Sequence, residues 1–259
     1  MTSATALHID SVSLTYRSRG QGEVTALEKM SLDVRDNEFI TIVGQSGCGK
    51  STLLRLVSGL LPPTTGRIDL ADRPVTGPRS DVGIVFQSAV LLPWRTVLEN
   101  VLLPIEFLKL DTTKYEGRAR ELLALVGLKG FESAYPRALS GGMQQRVSIS
   151  RALVSDPRIL LMDEPFGALD AMTREELSFE LLRIWDERKK TVLFVTHSIP
   201  EAVLLANRVV VMTPRPARVA KIIEVNLPRP RTLEMEFSDE FRRATDEIRE
   251  LIYQKRPKP

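Results

Sequence analysis

Cysteine and histidine are scarce in this chain, whose 259 residues hold one cysteine, Cys48, and two histidines. A single cysteine excludes an intrachain disulfide framework and a cysteine-built zinc site, and it suits a reducing compartment. Two histidines leave little material for histidine-based metal chemistry. The start, MTSATALHID, has neither a basic opening nor an apolar stretch, so no secretory signal is expected. No window approaches about 18 uninterrupted apolar residues. The most apolar region, Ser88 to Leu110, is broken by Arg95, Glu99, Asn100 and Glu106. The chain is therefore not expected to cross a membrane by itself. Concentrated charge is missing too. The net charge is +3, and from Thr213 onward 11 Lys/Arg stand against 8 Asp/Glu, while the rest of the chain balances. A mildly basic tail is no basic face, so no nucleic-acid partner is expected. What is present, 43% hydrophobic and 27% charged residues with 15 Gly and 16 Pro, excludes a collagen-like, low-complexity or wholly disordered chain.

The first third alternates with period two. Val12, Leu14 and Tyr16, then Met30, Leu32 and Val34, then Ile68 and Leu70 face one way, which predicts half-buried antiparallel strands with a turn at Asp36-Asn37. Phe39 to Val43, Ile159 to Met162, Val192 to Val195 and Val209 to Met212 are instead continuous apolar runs, as in a parallel sheet covered on both faces. Helical signals fill the gaps. Thr173 and Glu176 form a candidate capping box, followed by Leu177, Leu181, Ile184 and Trp185 at helical spacing. Between Gln87 and Pro157 the pattern is helical: Thr96 to Leu108, Lys114 to Val126, and a segment starting near Ser140. TPRPARV and LPRPR read as extended, and Asp239 to Tyr253 reads as a last amphipathic helix. Strands alternating with helices predict an α/β core, with the helical stretch inserted into it.

The string GQSGCGKS, Gly44 to Ser51, fits G-x-x-x-x-G-K-[ST] between an apolar strand and a helix closed by Gly59. Gly44, Gly47 and Gly49 let the backbone N–H groups converge on phosphate oxygens at the positive end of the helix, with Gln45, Ser46, Cys48 and Thr52 completing the cradle. Lys50 would bridge β- and γ-phosphates, and Ser51 would ligate Mg²⁺. ILLMDE ends an apolar run on two carboxylates. Asp163 suits the Mg²⁺ hydration shell, and Glu164 is free to polarise a water. In LSGGMQQR, Ser140 can cap a helix whose first N–H groups Gly141 and Gly142 leave bare, a second anion-binding helix start. It lies 23 residues before Asp163 and 90 after Lys50.

With these strings the chain resembles the nucleotide-binding subunits of ABC transporters over nearly its whole length. The likeness is greatest to the importers of the nitrate, sulfonate, taurine and bicarbonate group, through VFQSAVLLPWRTVLENV, DEPFGALDAMTR and MTPRPARV with LPRPR. The resemblance implies a P-loop (RecA-like) α/β ATPase core with an antiparallel β subdomain over residues 1–87 and 158–212. It further implies a helical subdomain over 88–157 and a C-terminal extension over 213–259. It makes Tyr16 the aromatic that stacks on adenine, where the residues alone read a half-buried strand position. Gln87 becomes the glutamine that contacts Mg²⁺ and the attacking water, and Asp170 part of a loop crossing between subunits. His197, otherwise a lone histidine at a sheet's carboxyl edge, becomes the switch histidine at the γ-phosphate. Three positions depart from the family pattern: Ser198 for aspartate, where Ser198 to Glu201 reads as a capping box, Asn37 for glycine before the core strand, and Ala217 for glycine in TPRPARV.

The function so implied is ATP hydrolysis powering an importer of a small solute, an organic or inorganic anion of the nitrate, sulfonate or taurine kind or a small heterocyclic nutrient. A homodimer would hold two ATP between the P-loop of one copy and Ser140 and Gly142 of the other. A separate permease would dock near Gln87 and LLPWRTVLENV, fed by a periplasmic or extracellular binding protein, with the subunit on the cytoplasmic face of the membrane. A soluble ABC ATPase acting on DNA or ribosomes is the rival reading. The short spacing leaves no room for the long coiled coil of the DNA-repair members, and one motif set contrasts with the two of the ribosomal ones. A regulatory module without turnover is disfavoured because no catalytic position is substituted. An exporter or lipid-transport role remains open, because cargo is chosen by other subunits.

Overall fold

The computed structural model describes residues 5–18, 22–167 and 169–253. Along the chain run β1 (Thr5–Ser18), β2 (Gly22–Arg35), β3 (Phe39–Val43), α1 (Lys50–Val57), β4 (Thr65–Leu70), β5 (Arg73–Pro74) and β6 (Val82–Val85). Then follow α2 (Val97–Phe107), α3 (Thr112–Leu125), α4 (Gly141–Leu153), β7 (Ile159–Asp163) and α5 (Ala171–Arg188). The chain closes with β8 (Thr191–Val195), α6 (Ile199–Leu205), β9 (Arg208–Met212), β10 (Val219–Glu224) and α7 (Asp239–Tyr253). Two compact units result, residues 1–79 with 189–259, and residues 80–188.

In the first unit the alternating segments pair as predicted. β1 runs antiparallel to both β2 and β4, and Val12, Met30, Val34 and Leu70 are fully buried on the shared face. The Asp36-Asn37 turn forms, with Asn37 at φ 58, a conformation asparagine tolerates. The continuous apolar runs form parallel strands: β3 lies between β8 and β9, and every residue of the three is buried. A buried ion pair ties this sheet to the turn before it. Arg208 at the start of β9 meets both carboxylate oxygens of Glu38, at 2.5 and 2.7 Å, and donates to the Asp33 carbonyl at 2.7 Å. That contact raises the guanidinium pKa, so Arg208 stays charged although it is buried.

One expectation for the tail needs correction, and the tail adds a strand that had no sequence signal. TPRPARV is a bent loop closed by the Thr213 N–H to the Arg218 carbonyl, and VAKIIE beyond it is the strand β10, antiparallel to β9. The prolines sit in the hairpin loop, where they cost no ladder bond, and so do not prevent the strand. Ala217, despite replacing a glycine, is fully buried and bonded in both directions to the β2 strand, to Ala26 and Glu28. The last helix falls within its predicted bounds, and residues 254–259 of the extension lie outside the described residues. α7 lays Phe241, Ala244 and Ile248 into its own unit against α6. Arg229 and Arg231 donate to the carbonyls of Leu205 and Ala206, both at 2.9 Å, capping the end of α6.

The second unit holds the parallel pair β6 and β7 with α2 to α5. α2 opens with a full capping box between Thr96 and Glu99. The predicted box at Thr173 is displaced. Asp170 caps α5 instead, its carboxylate accepting from the Thr173 N–H at 3.0 Å and the Thr173 hydroxyl at 2.8 Å. Aspartate, one step outside the helix, takes the orphan N–H before threonine can act as a cap. Leu177, Leu181, Ile184 and Trp185 are buried as their spacing predicts. Among the described residues, no helix is long and apolar enough to cross a membrane.

Candidate nucleotide site

Between β3 and α1 the backbone turns sharply, and glycine is required by both conformation and space. Gly49 has φ 128, and a Cβ there would lie 2.9 Å from Leu27 Cδ2. At Gly44 it would lie 3.0 Å from Cys48 Sγ and 3.1 Å from the Met212 carbonyl. The Cys48 thiol is buried, and burial pushes its pKa up. Gly49 supplies no side-chain cap to α1, so no side chain of the capping residue competes for the first amides of the helix. Lys50 is only 5% exposed, and its Nζ donates to the carbonyls of Gly44 at 3.0 Å and Gln45 at 3.3 Å. A buried cation aimed into its own loop, at a helix N-terminus, fits a polyphosphate. Ser51 and Thr52 follow in the first turn.

Tyr16 reaches this turn from β1, its hydroxyl 3.3 Å from Thr52 Oγ1. Tyr16 is 41% exposed, more than the strand alternation predicts. His197 arrives from the other side. It leaves β8 through Thr196, is exposed, and lines a pocket of about 470 Å³ with Gly44, Gln45, Ser46, Ile199, Ile252 and Tyr253. Ser198 caps α6, accepting from the Glu201 N–H at 3.4 Å. The reciprocal half of the predicted box is absent. The Glu201 carboxylate accepts from the Thr196 hydroxyl, whose oxygen in turn accepts from the Ser198 N–H at 3.0 Å. The histidine thus sits in a tight hydrogen-bonded turn.

The second unit carries the carboxylates. Asp163 ends β7, and Glu164 follows at φ 45, a left-handed conformation that is uncommon outside glycine and costs on the order of 1–3 kcal/mol. A Cβ on Gly167 would lie 3.3 Å from the Glu164 carbonyl and 3.5 Å from Gln87 Nε2. Gln87 and Glu164 therefore share one corner, where glycine leaves room for both. Ser140 caps α4, accepting from the Met143 N–H at 3.3 Å. Behind it Gly142 is buried so close to α5 that a Cβ would meet Thr173 Cγ2 at 2.9 Å, while Gly141 stays exposed. The Asp170 carboxylate is engaged as a helix cap, and the bonds from Thr173 lower its pKa.

Several contacts had no signal in the sequence. Gln145 on α4 donates to the Phe86 carbonyl at 3.1 Å, and Arg151 donates to those of Ala89 at 2.7 Å and Val90 at 2.9 Å. The loop that carries Gln87 is thereby held from α4 on both sides. Burial lowers the Arg151 pKa, yet a guanidinium remains charged. Arg215 and the end of α7 also touch the phosphate loop. Residues bonded across such sequence separations leave no periodic trace.

Known proteins resemble this chain over most of its length. A family model described as ABC transporter matches residues 27–167. The chain is 51% identical over 225 residues to an uncharacterized ABC transporter ATP-binding protein of Methanocaldococcus jannaschii, spanning 87% of this chain and 84% of that one. It is 45% identical over 253 residues to the taurine import ATP-binding protein TauB of Rhizobium johnstonii, spanning 95% and 96%. Among solved structures, the dimeric post-hydrolysis state of the ATP-binding cassette MJ0796 bound to ADP and Pi superposes with a TM-score of 0.74 at 33% identity, over 86% of this chain and 100% of that one.

Proposed function

Because this chain belongs to the ABC transporter family, we propose that it is the ATP-hydrolysing subunit of an importer for a small anionic or zwitterionic solute, of the sulfonate, taurine or nitrate kind. Two copies would work head to tail, each P-loop completed by Ser140 and Gly142 of the other. The subunit would sit on the cytoplasmic face of the membrane, against a separate permease served by a substrate-binding protein. The division into an ATPase core, a helical insert over 88–157 and an extension over 213–259 belongs to the same reading.

The observation that carries the transport half is the exposure of large apolar side chains in the second unit. Val90 is 58% and Trp94 71% exposed in the segment that starts at Gln87, and Phe107 is 78% exposed at the end of α2. Large apolar side chains left in water next to a functional loop mark a protein interface. A short permease helix docking there would move the loop that Gln145 and Arg151 hold.

For the chemistry, Lys50 and the amides of Gly47 to Ser51 hold the β- and γ-phosphates. Glu164 takes a proton from the attacking water as charge builds on the phosphoryl oxygens. His197 and Lys50 stabilise that charge. Gln87, in the corner it shares with Glu164, orients the water. Tyr16 holds the base by stacking. Ser51, Asp163 and the Gln87 carboxamide oxygen would be the residues to hold Mg²⁺, being hard oxygen donors, and the ion would supply positive charge to the phosphates. Trp94→Ala tests the transport reading. Reconstituted with its permease, the variant should lose transport-stimulated hydrolysis while the isolated subunit hydrolyses ATP normally. Retained stimulation would remove this surface from the permease interface.

A further inference from the structure

The C-terminal helix ends on the phosphate loop. In the last described turn of α7 the Ile252 carbonyl accepts from Gln45 Nε2 at 3.0 Å. Ile252 and Tyr253 form the side of the His197 pocket that faces Gly44, Gln45 and Ser46. A second hold comes from the loop before β10, where the Arg215 guanidinium donates to the Gly47 carbonyl. A pocket of about 320 Å³ on that side is lined by Gln45, Ser46, Gly47, Cys48, Pro214 and Arg215. The extension thus grips the loop at two points within three residues.

This arrangement poses an electrostatic problem. The start of α1 favours phosphate, whereas the carbonyl end of a helix carries partial negative charge and disfavours it. A bare helix C-terminus beside a phosphate loop would weaken nucleotide binding. The Gln45 carboxamide offsets part of that charge by donating to one carbonyl of the last turn, and the same bond ties the loop to α7.

Resting on the reading of Gly44 to Ser51 as the ATP site, we propose that Gln45 is a positioning residue that sets nucleotide affinity through α7, by capping the helix end that walls the site. Its role then depends on that wall being present. Gln45→Leu keeps the bulk and loses the donor. In the full chain it should weaken ATP binding about 3–10-fold, the scale of one net hydrogen bond. In a chain truncated after Leu251, where the carbonyl is gone and Phe241, Ala244 and Ile248 still pack, the same substitution should change binding less than about twofold, because coupled residues are not additive.

Titration with a fluorescent ATP analogue on the four proteins, with melting temperatures alongside, tests this. Leu251→Gly with Ile252→Gly, which loosens the last turn without shortening the chain, serves as a second background should the truncated chain fail to fold. Equal weakening by Gln45→Leu in both backgrounds, or tighter binding in the full chain, overturns the proposal. Lys50→Ala separates this from the site reading. Loss of binding in that variant alongside equal Gln45→Leu effects sinks the proposal alone, while retained binding sinks both.

Discussion

Two helices in this molecule start on glycine-rich turns, and they start differently. α1 is capped by Gly49, which offers its amides no side-chain acceptor, and a buried Lys50 points back into the loop. α4 is capped by Ser140, whose hydroxyl already takes the Met143 N–H, and the turn is exposed with no lysine beside it. Both motifs read from sequence as anion sites. In the structure α1 starts with a buried lysine turned into its own loop, whereas α4 starts with one amide already taken by its cap. A site of the second kind completes a phosphate that something else already holds. Such an asymmetry is what a nucleotide shared between two copies requires.

The largest effect that sharpens this comparison lies downstream of both helices. Glu164→Gln should bind ATP normally through α1 and lose roughly 10²–10⁴-fold in turnover, the usual contribution of a positioned base. It should accumulate as an ATP-bound dimer, seen by size-exclusion chromatography. Near-normal hydrolysis would take Glu164 out of that role. Next in size, Arg208→Met strips the partner from the buried Glu38 carboxylate beneath the sheet that carries α1. Breaking one side of a buried pair costs about 3–5 kcal/mol, read as a lowered denaturant midpoint. A midpoint that stayed put would mean the pair adds nothing to the scaffold.

Ser140→Ala tests α4 itself. Losing an N-cap costs about 0.5–2 kcal/mol, here with little change in monomer affinity for ATP because α1 holds the nucleotide. The smallest effect belongs to an exposed pair between β1 and β2. The bond to Asp33 raises the His8 pKa above its usual value. Protonated His8 therefore adds stability that is fully present below the unfolded pKa and is lost as pH rises through the folded one. Exposed pairs contribute about 0.2–1 kcal/mol. His8→Gln should flatten the stability profile between weakly acidic and weakly basic pH by that much, measured by urea unfolding across the range.

What the sequence made legible follows from how each feature is encoded. β3, β8 and β9 are buried on both faces and so had to be continuous apolar runs. The phosphate loop needs glycine where a Cβ would collide, and that need is written as spacing. β10 was missed because Pro214 and Pro216 dominate its approach, and a hairpin loop tolerates them. Thr173 looked like a cap until Asp170 was seen to take its N–H. Gln145, Arg151, Arg215 and Ile252 act through carbonyls and amides of residues far away in the chain, and such contacts impose no pattern on neighbours. The resemblance marked Gln87 and Glu164, but only the folded corner at Gly167 brings them side by side.

The comparison of the two helix starts is tested most directly by one pair of variants measured together. Lys50→Ala and Ser140→Arg would each be titrated with ATP as monomers and then sized in its presence, in the hydrolysis-slowed Glu164→Gln background. The account predicts that Lys50→Ala loses monomer binding. Ser140→Arg should bind as the parent does and fail to dimerise, because the added bulk and charge fill the space of the partner's γ-phosphate. Equal loss of monomer binding in both, or an ATP-dependent dimer of Ser140→Arg, would contradict a site that one helix holds and the other completes.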